Sequence, residues 1–109
     1  MDKYNEDVFL QNKKILTDNV EIHPDDIKAL ENSIAELINA GVGAIEKITF
    51  KESDSYNWIM LICDDRNQEY YLELSEHGTI ALLRKNGLNG EEILLSQCGT
   101  TGSINPTNV

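Results

Sequence analysis

The chain has 109 residues, 40% of them hydrophobic and 26% charged, a composition that suits one folded domain and excludes a wholly disordered chain. Nineteen acidic side chains against nine basic ones give a formal net charge of −10, which disfavours nucleic acid and anionic membranes and favours a basic partner or a bound cation. No apolar run approaches the roughly 18–20 residues of a membrane span. The start, Met1-Asp2-Lys3-Tyr4-Asn5-Glu6-Asp7, lacks the order of a secretion signal, so a cytoplasmic protein is expected.

In chain order, residues 5–16 read as a short helix, with Asn5 as its cap and Val8, Phe9, Ile15 and Leu16 on one face. Thr17-Asp18-Asn19 reads as a loop, and Val20-Glu21-Ile22 as an isolated short strand. The clearest element is a helix over 24–40, where Ile27, Leu30, Ile34, Leu37 and Ile38 recur at steps of three and four residues. Pro24 suits its first position, Asp25 and Asp26 suit the positive end of its dipole, and Gly41 supplies the stop.

From residue 45 the period changes to two. Ile45–Lys51 alternates, Lys51-Glu52-Ser53-Asp54-Ser55 is a polar turn, and Tyr56–Cys63 is apolar on both faces, as a central strand would be. Asp64-Asp65-Arg66-Asn67 is a solvated turn. Gln68–Leu74 and Thr79–Lys85 are strands joined by Glu76-His77-Gly78, a three-residue loop with Gly where positive φ is needed. That loop sets Leu74 opposite Ile80 and Leu72 opposite Leu82, all on one face. Asn86-Gly87-Leu88-Asn89-Gly90 is a turn, Glu91–Ser96 a last strand, and 97–109 a polar tail. The expected fold is α+β in two layers: an amphipathic helix packed on a curved antiparallel meander of about five strands over 45–96, in a single domain spanning 1–96.

Motifs of catalysis are lacking. Gly41-Val42-Gly43 precedes a strand, not a helix, and is too short for a phosphate loop; no Ser sits in a glycine-flanked elbow. Cys63 and Cys98 read as reduced thiols, too few for a zinc site, and His23 and His77 as exposed loop residues. Asp64 and Asp65 lack the spacing and glycine of a calcium loop. No catalytic, metal or cofactor-binding residue is assigned, and no cofactor is expected. The sheet's second face is the feature that points outward. Ile59, Leu61, Cys63, Tyr71, Ala81 and Leu83 fall on it beside Glu69 and Glu73, unless the facing of Tyr56–Cys63 is inverted, in which case Tyr56, Trp58, Met60 and Ile62 do; either the N-terminal helix or the tail covers this face, or it is a protein contact surface.

Size, acidity, cytoplasmic character and the lack of catalytic motifs together resemble, in profile, the bacterial immunity proteins that neutralise toxins of contact-dependent growth inhibition and related polymorphic toxin systems. That resemblance implies a non-enzymatic chain whose acidic surface covers a cationic toxin site. For a basic protein partner, the steering candidates are Asp64, Asp65, Glu69 and Glu73, and the anchor is Tyr71 or, in the inverted facing, Trp58. The alternative is a small-molecule binder or minor enzyme: a sheet wrapped round a helix resembles cystatin-like and nuclear-transport-factor-like domains, with Trp58, Tyr56, Tyr70 and Met60 lining a pocket between the layers.

Overall fold

The computed structural model describes residues 2–53, 57–86 and 92–97. Helix α1 runs from Lys3 to Asn19. It is longer than the sequence pattern predicts because Asp2, not Asn5, is the cap, its carboxylate accepting the Asn5 N–H at 2.8 Å. At the other end Thr17 Oγ1 donates to the Lys13 carbonyl at 2.8 Å and Asn19 Nδ2 to that of Ile15 at 2.7 Å. These side chains bond back to carbonyls one turn earlier, and the Val20 N–H closes the last turn on the Leu16 carbonyl at 2.8 Å, so the helix runs on where a loop was expected. Val8, Asn12 and Leu16 are buried at steps of four. Among the described residues Val20-Glu21-Ile22 pairs with no strand; Val20 instead plugs the core.

Pro24–Asp26 forms a 3-10 turn that leads into α2, Ile27–Asn39. The turn is capped from outside, with His23 Nδ1 accepting the Asp25 N–H at 3.1 Å. Leu30, Ser33, Ile34 and Leu37 form the buried stripe of α2. Gly41 ends it at φ 98°, and the Val42 N–H turns back to the Leu37 carbonyl at 3.0 Å.

Strands β1 (Ile45–Ser53), β2 (Asn57–Asp64), β3 (Glu69–Ser75) and β4 (Ile80–Asn86) follow as an antiparallel sheet, and Glu92–Gln97 (β5) pairs along β4. The turn predicted over 86–90 begins inside β4, and its remaining residues, like Tyr56, Cys98 and the tail after Gln97, lie outside the described residues. The edge strand β1 is interrupted at Glu46 and Lys51 by register shifts and carries exposed charges, features that discourage pairing with another chain.

The two layers meet over one face of the sheet. Leu16, Leu30, Ile34 and Leu37 from the helices pack with Ile45, Met60, Ile62, Leu72, Leu74, Ile80 and Leu83, each at most 1% exposed. The β3–β4 hairpin has the predicted loop: Gly78 sits at φ 82°, the Ser75 N–H bonds to the Thr79 carbonyl at 2.9 Å, and Leu74 opposes Ile80. Beyond that pair Ala81 is an extra residue, so Leu72 opposes Leu83 and not Leu82. The predicted facing is corrected here: the bulge turns Leu83 into the core and Leu82 to the outer face.

The tip of this hairpin is seated on α2. Ser33 Oγ donates to the Gly78 carbonyl at 2.7 Å and accepts the Ile80 N–H at 3.1 Å. A Cβ on Gly78 would lie 3.1 Å from the Leu30 nitrogen and 3.2 Å from the Asp26 carbonyl oxygen. Gly78→Ala should therefore lower stability by about 2–3 kcal/mol in urea unfolding, through positive φ and the close backbone together. A loss under about 0.5 kcal/mol, the ordinary level for a surface site, would contradict that seating.

Candidate interaction surface

With both helices on one side, strand alternation delivers the other side chains to an outer face. Cross-strand pairing sets them in rows. Thr49, Leu61, Tyr71 and Arg84 form one row; Glu52, Ile59, Glu73 and Leu82 a second; Lys47, Cys63 and Glu69 a third. Ile59, Leu61, Cys63, Tyr71 and Leu82 are half-buried and none belongs to the core cluster. The Arg84 guanidinium lies 5.7 Å from the centre of the Tyr71 ring, stacked in the cation–π manner. Asn57 Nδ2 donates to Glu73 Oε2 at 3.2 Å. The face is thus an apolar centre with Glu52 and Glu69 exposed at its margin, alongside Lys47.

Tyr71, Glu69 and Glu73 are brought together as expected. Trp58 is not with them: it shares the helix-facing side of β2 with Met60 and Ile62 and packs, half-buried, against the core. Asp65 is exposed in the β2–β3 turn, where it accepts from the Tyr4 hydroxyl at 3.4 Å. Asp64 departs furthest from its expected place on a solvated turn beside the outer face. It is 1% exposed and points to the helix side.

The position of Asp64 follows from its hydrogen bonds. Its Oδ2 accepts the Gly43 N–H at 2.9 Å and an Arg66 Nη2 donor at 3.2 Å; its Oδ1 accepts the Arg66 and Gln68 N–H groups, each at 3.0 Å. Burial pushes this carboxyl up, but the donors from Gly43, Gln68 and Arg66 outweigh burial and hold it below the usual carboxylate range. Arg66 also donates to the Gly41 carbonyl. Burial, reinforced by the Asp64 charge, pushes the Tyr70 phenol up.

Asn12 completes the junction from α1. Its Nδ2 donates to the Gly43 carbonyl at 3.2 Å and its Oδ1 accepts the Ile45 N–H at 2.7 Å, while Gln11 Nε2 donates to the Ile45 carbonyl at 3.2 Å. One acid from the sheet and two amides from α1 thereby satisfy the backbone that leads into β1. These hydrogen bonds make the cluster a polar pin that ties α1, the segment leading into β1 and the β2–β3 turn together.

The other residues with chemical potential stay apart. Cys63 opposes Glu69 at the start of β3 and His77 follows its end, which places them roughly 20 Å or more apart along the strand. His77 Nδ1 lies 3.3 Å from Asp26 Oδ2 and its Nε2 3.5 Å from Glu76 Oε1. Among the described residues, no group of His, Cys, Asp and Glu is arranged to hold a metal ion, and no helix is long and apolar enough to cross a membrane. No family model, no curated protein and no solved structure matches the chain.

Proposed function

We propose that the chain is a non-enzymatic protein-interaction module that docks a basic partner on the outer face of a curved five-stranded meander, acting in the cytoplasm as an immunity protein that neutralises a toxin domain. The observation that supports this reading most is the one-sided packing: both helices bury one sheet face, and the other keeps Leu61, Tyr71, Ile59 and Leu82 outside the core. A net charge of −10 supplies the attraction for a cationic partner. Asp65, Glu69 and Glu73 are the steering acids in this reading, and Tyr71 is the anchor; Asp64 has no part in steering because it is buried.

The alternative, a small-molecule site between the layers, draws no support from the packing. Met60 is 0% and Tyr70 4% exposed, both closed into the core where a ligand would have to sit.

The reading is tested with the tagged full chain used to capture partners from its source cells, beside a Tyr71→Ala, Leu82→Asp chain as control. A basic protein retained by the first and lost by the second is expected. With that partner purified, the association rate should fall about tenfold or more between 0.1 and 1 M salt, as the Debye length shrinks from ~10 to ~3 Å, while dissociation changes less. An association rate indifferent to salt, or equal retention by both chains, would sink the proposal.

A further inference from the structure

We propose that the outward stripe of α1 is a self-complementary surface on which a second copy of this chain docks antiparallel. The stripe comprises Lys3, Glu6, Asp7, Leu10, Lys14 and Thr17, spaced three or four residues apart and all exposed. Leu10 at its middle is 63% exposed, the most exposed large apolar side chain among the described residues. It lines a shallow groove with Lys3, Glu6, Asp7 and Phe9.

Charge decides the occupant. Within one turn of Leu10 the acids Glu6 and Asp7 lie on the N-terminal side and the base Lys14 on the C-terminal side, with Lys3 and Asp18 a turn further out, so an antiparallel partner centred on Leu10 brings each Glu6 to the other copy's Lys14, twice over. A parallel partner would set like charges together. A two-fold axis through Leu10 buries both leucines against each other and uses the same patch on both copies, as an isologous interface must. The bonds that now occupy these groups are easily exchanged: Lys3–Asp7 at 3.5 Å and Lys14–Asp18 at 2.8 Å are exposed pairs one helical turn apart. Lys13 is held by Glu31 at 2.8 Å and is not needed. The surface is on the helix side, so it stands independently of the outer sheet face. At 0.15 M salt the Debye length is about 8 Å, so the general repulsion between two chains of −10 is largely screened while pairs inside the interface are screened less.

Sedimentation equilibrium of the full chain at 0.15 M salt tests this, with helicity of every variant checked by circular dichroism. Wild type should pass from the 12.3 kDa monomer toward twice that mass with a dissociation constant on the order of 100 µM, as befits a small interface. Leu10→Asp, Glu6→Lys and Lys14→Glu should each weaken it about tenfold or more, and Glu6→Lys combined with Lys14→Glu in one chain should restore it. Mixing the two single charge variants should also give a heterodimer, because each then meets its opposite. Tyr71→Ala should leave self-association unchanged. A wild type that stays monomeric up to about 1 mM, a dimer that survives Leu10→Asp, or one lost with Tyr71→Ala would overturn the proposal.

Discussion

Replacing Asp64 with alanine should cost about 3–5 kcal/mol of stability, the range for breaking a buried, hydrogen-bonded charge. The N–H groups of Gly43, Arg66 and Gln68 would lose their acceptor at once, and the Gly43 donor is buried. Such a loss is a large part of the roughly 5–15 kcal/mol that holds a domain of this size. Asp64→Asn keeps one acceptor oxygen and should cost less, about 2–3 kcal/mol, so a folded variant is available if the alanine chain is not. Asp65→Ala, one residue along and exposed, should change stability by less than about 0.5 kcal/mol. The same residue sets an acid limb. The folded carboxyl lies below its ordinary value, so the unfolded chain takes up its proton first as pH falls. The contribution of Asp64 is fully present above the ordinary carboxylate value near 3.9 and drains away as pH falls through the lower folded value, by at most about 1.4 kcal/mol per pH unit. Urea unfolding between pH 6 and about pH 2.5 should show this limb in wild type and a shallower one in Asp64→Asn. Equal limbs would mean that the carboxylate is not what the Gly43 and Gln68 amides hold.

Tyr71→Ala should weaken a captured basic partner by about 2 kcal/mol, near 30-fold, with most of the change in the dissociation rate. Tyr71 stands next to Leu61 in one row and beneath the Arg84 guanidinium, so its ring is pre-positioned at the middle of the outer face. Because Tyr71 lies outside the core cluster, the fold should survive the change with a loss of about 1 kcal/mol or less. Glu69→Lys with Glu73→Lys should act on the other rate constant and slow association. A Tyr71→Ala chain that binds as wild type would remove the anchor from the account, and one that unfolds would show the ring to be structural.

The parts of the fold that were legible in the sequence are those set by local chemistry. The stripe Leu30, Ile34, Leu37 and the stop at Gly41 define α2, and Glu76-His77-Gly78 defines its hairpin and the pairing of Leu74 with Ile80. What failed depends on the register of one extra residue. Nothing about Ala81 marks it as a bulge, yet it exchanges the facing of Leu82 and Leu83. At Asp64 two signals conflict: an Asp-Asp pair before Arg-Asn has turn composition, whereas alternation through Met60 and Ile62 puts position 64 on the core side. Asn12 was missed for a similar reason. It occupies the apolar stripe between Val8 and Leu16, and a polar residue in such a place signals buried backbone that needs a partner. Of the candidate site, Glu69, Tyr71 and Glu73 share one face by alternation alone, whereas Trp58 depended on which way β2 faces.

Docking of a basic partner on the outer sheet face can be read by methyl-labelled NMR titration of the intact chain with its captured partner. Shifts or broadening confined to Ile59, Leu61 and Leu82, with Leu30, Ile34 and Leu37 unmoved, is the predicted result. Perturbation centred on α1 or α2, with those three outer-face methyls unchanged, would contradict it.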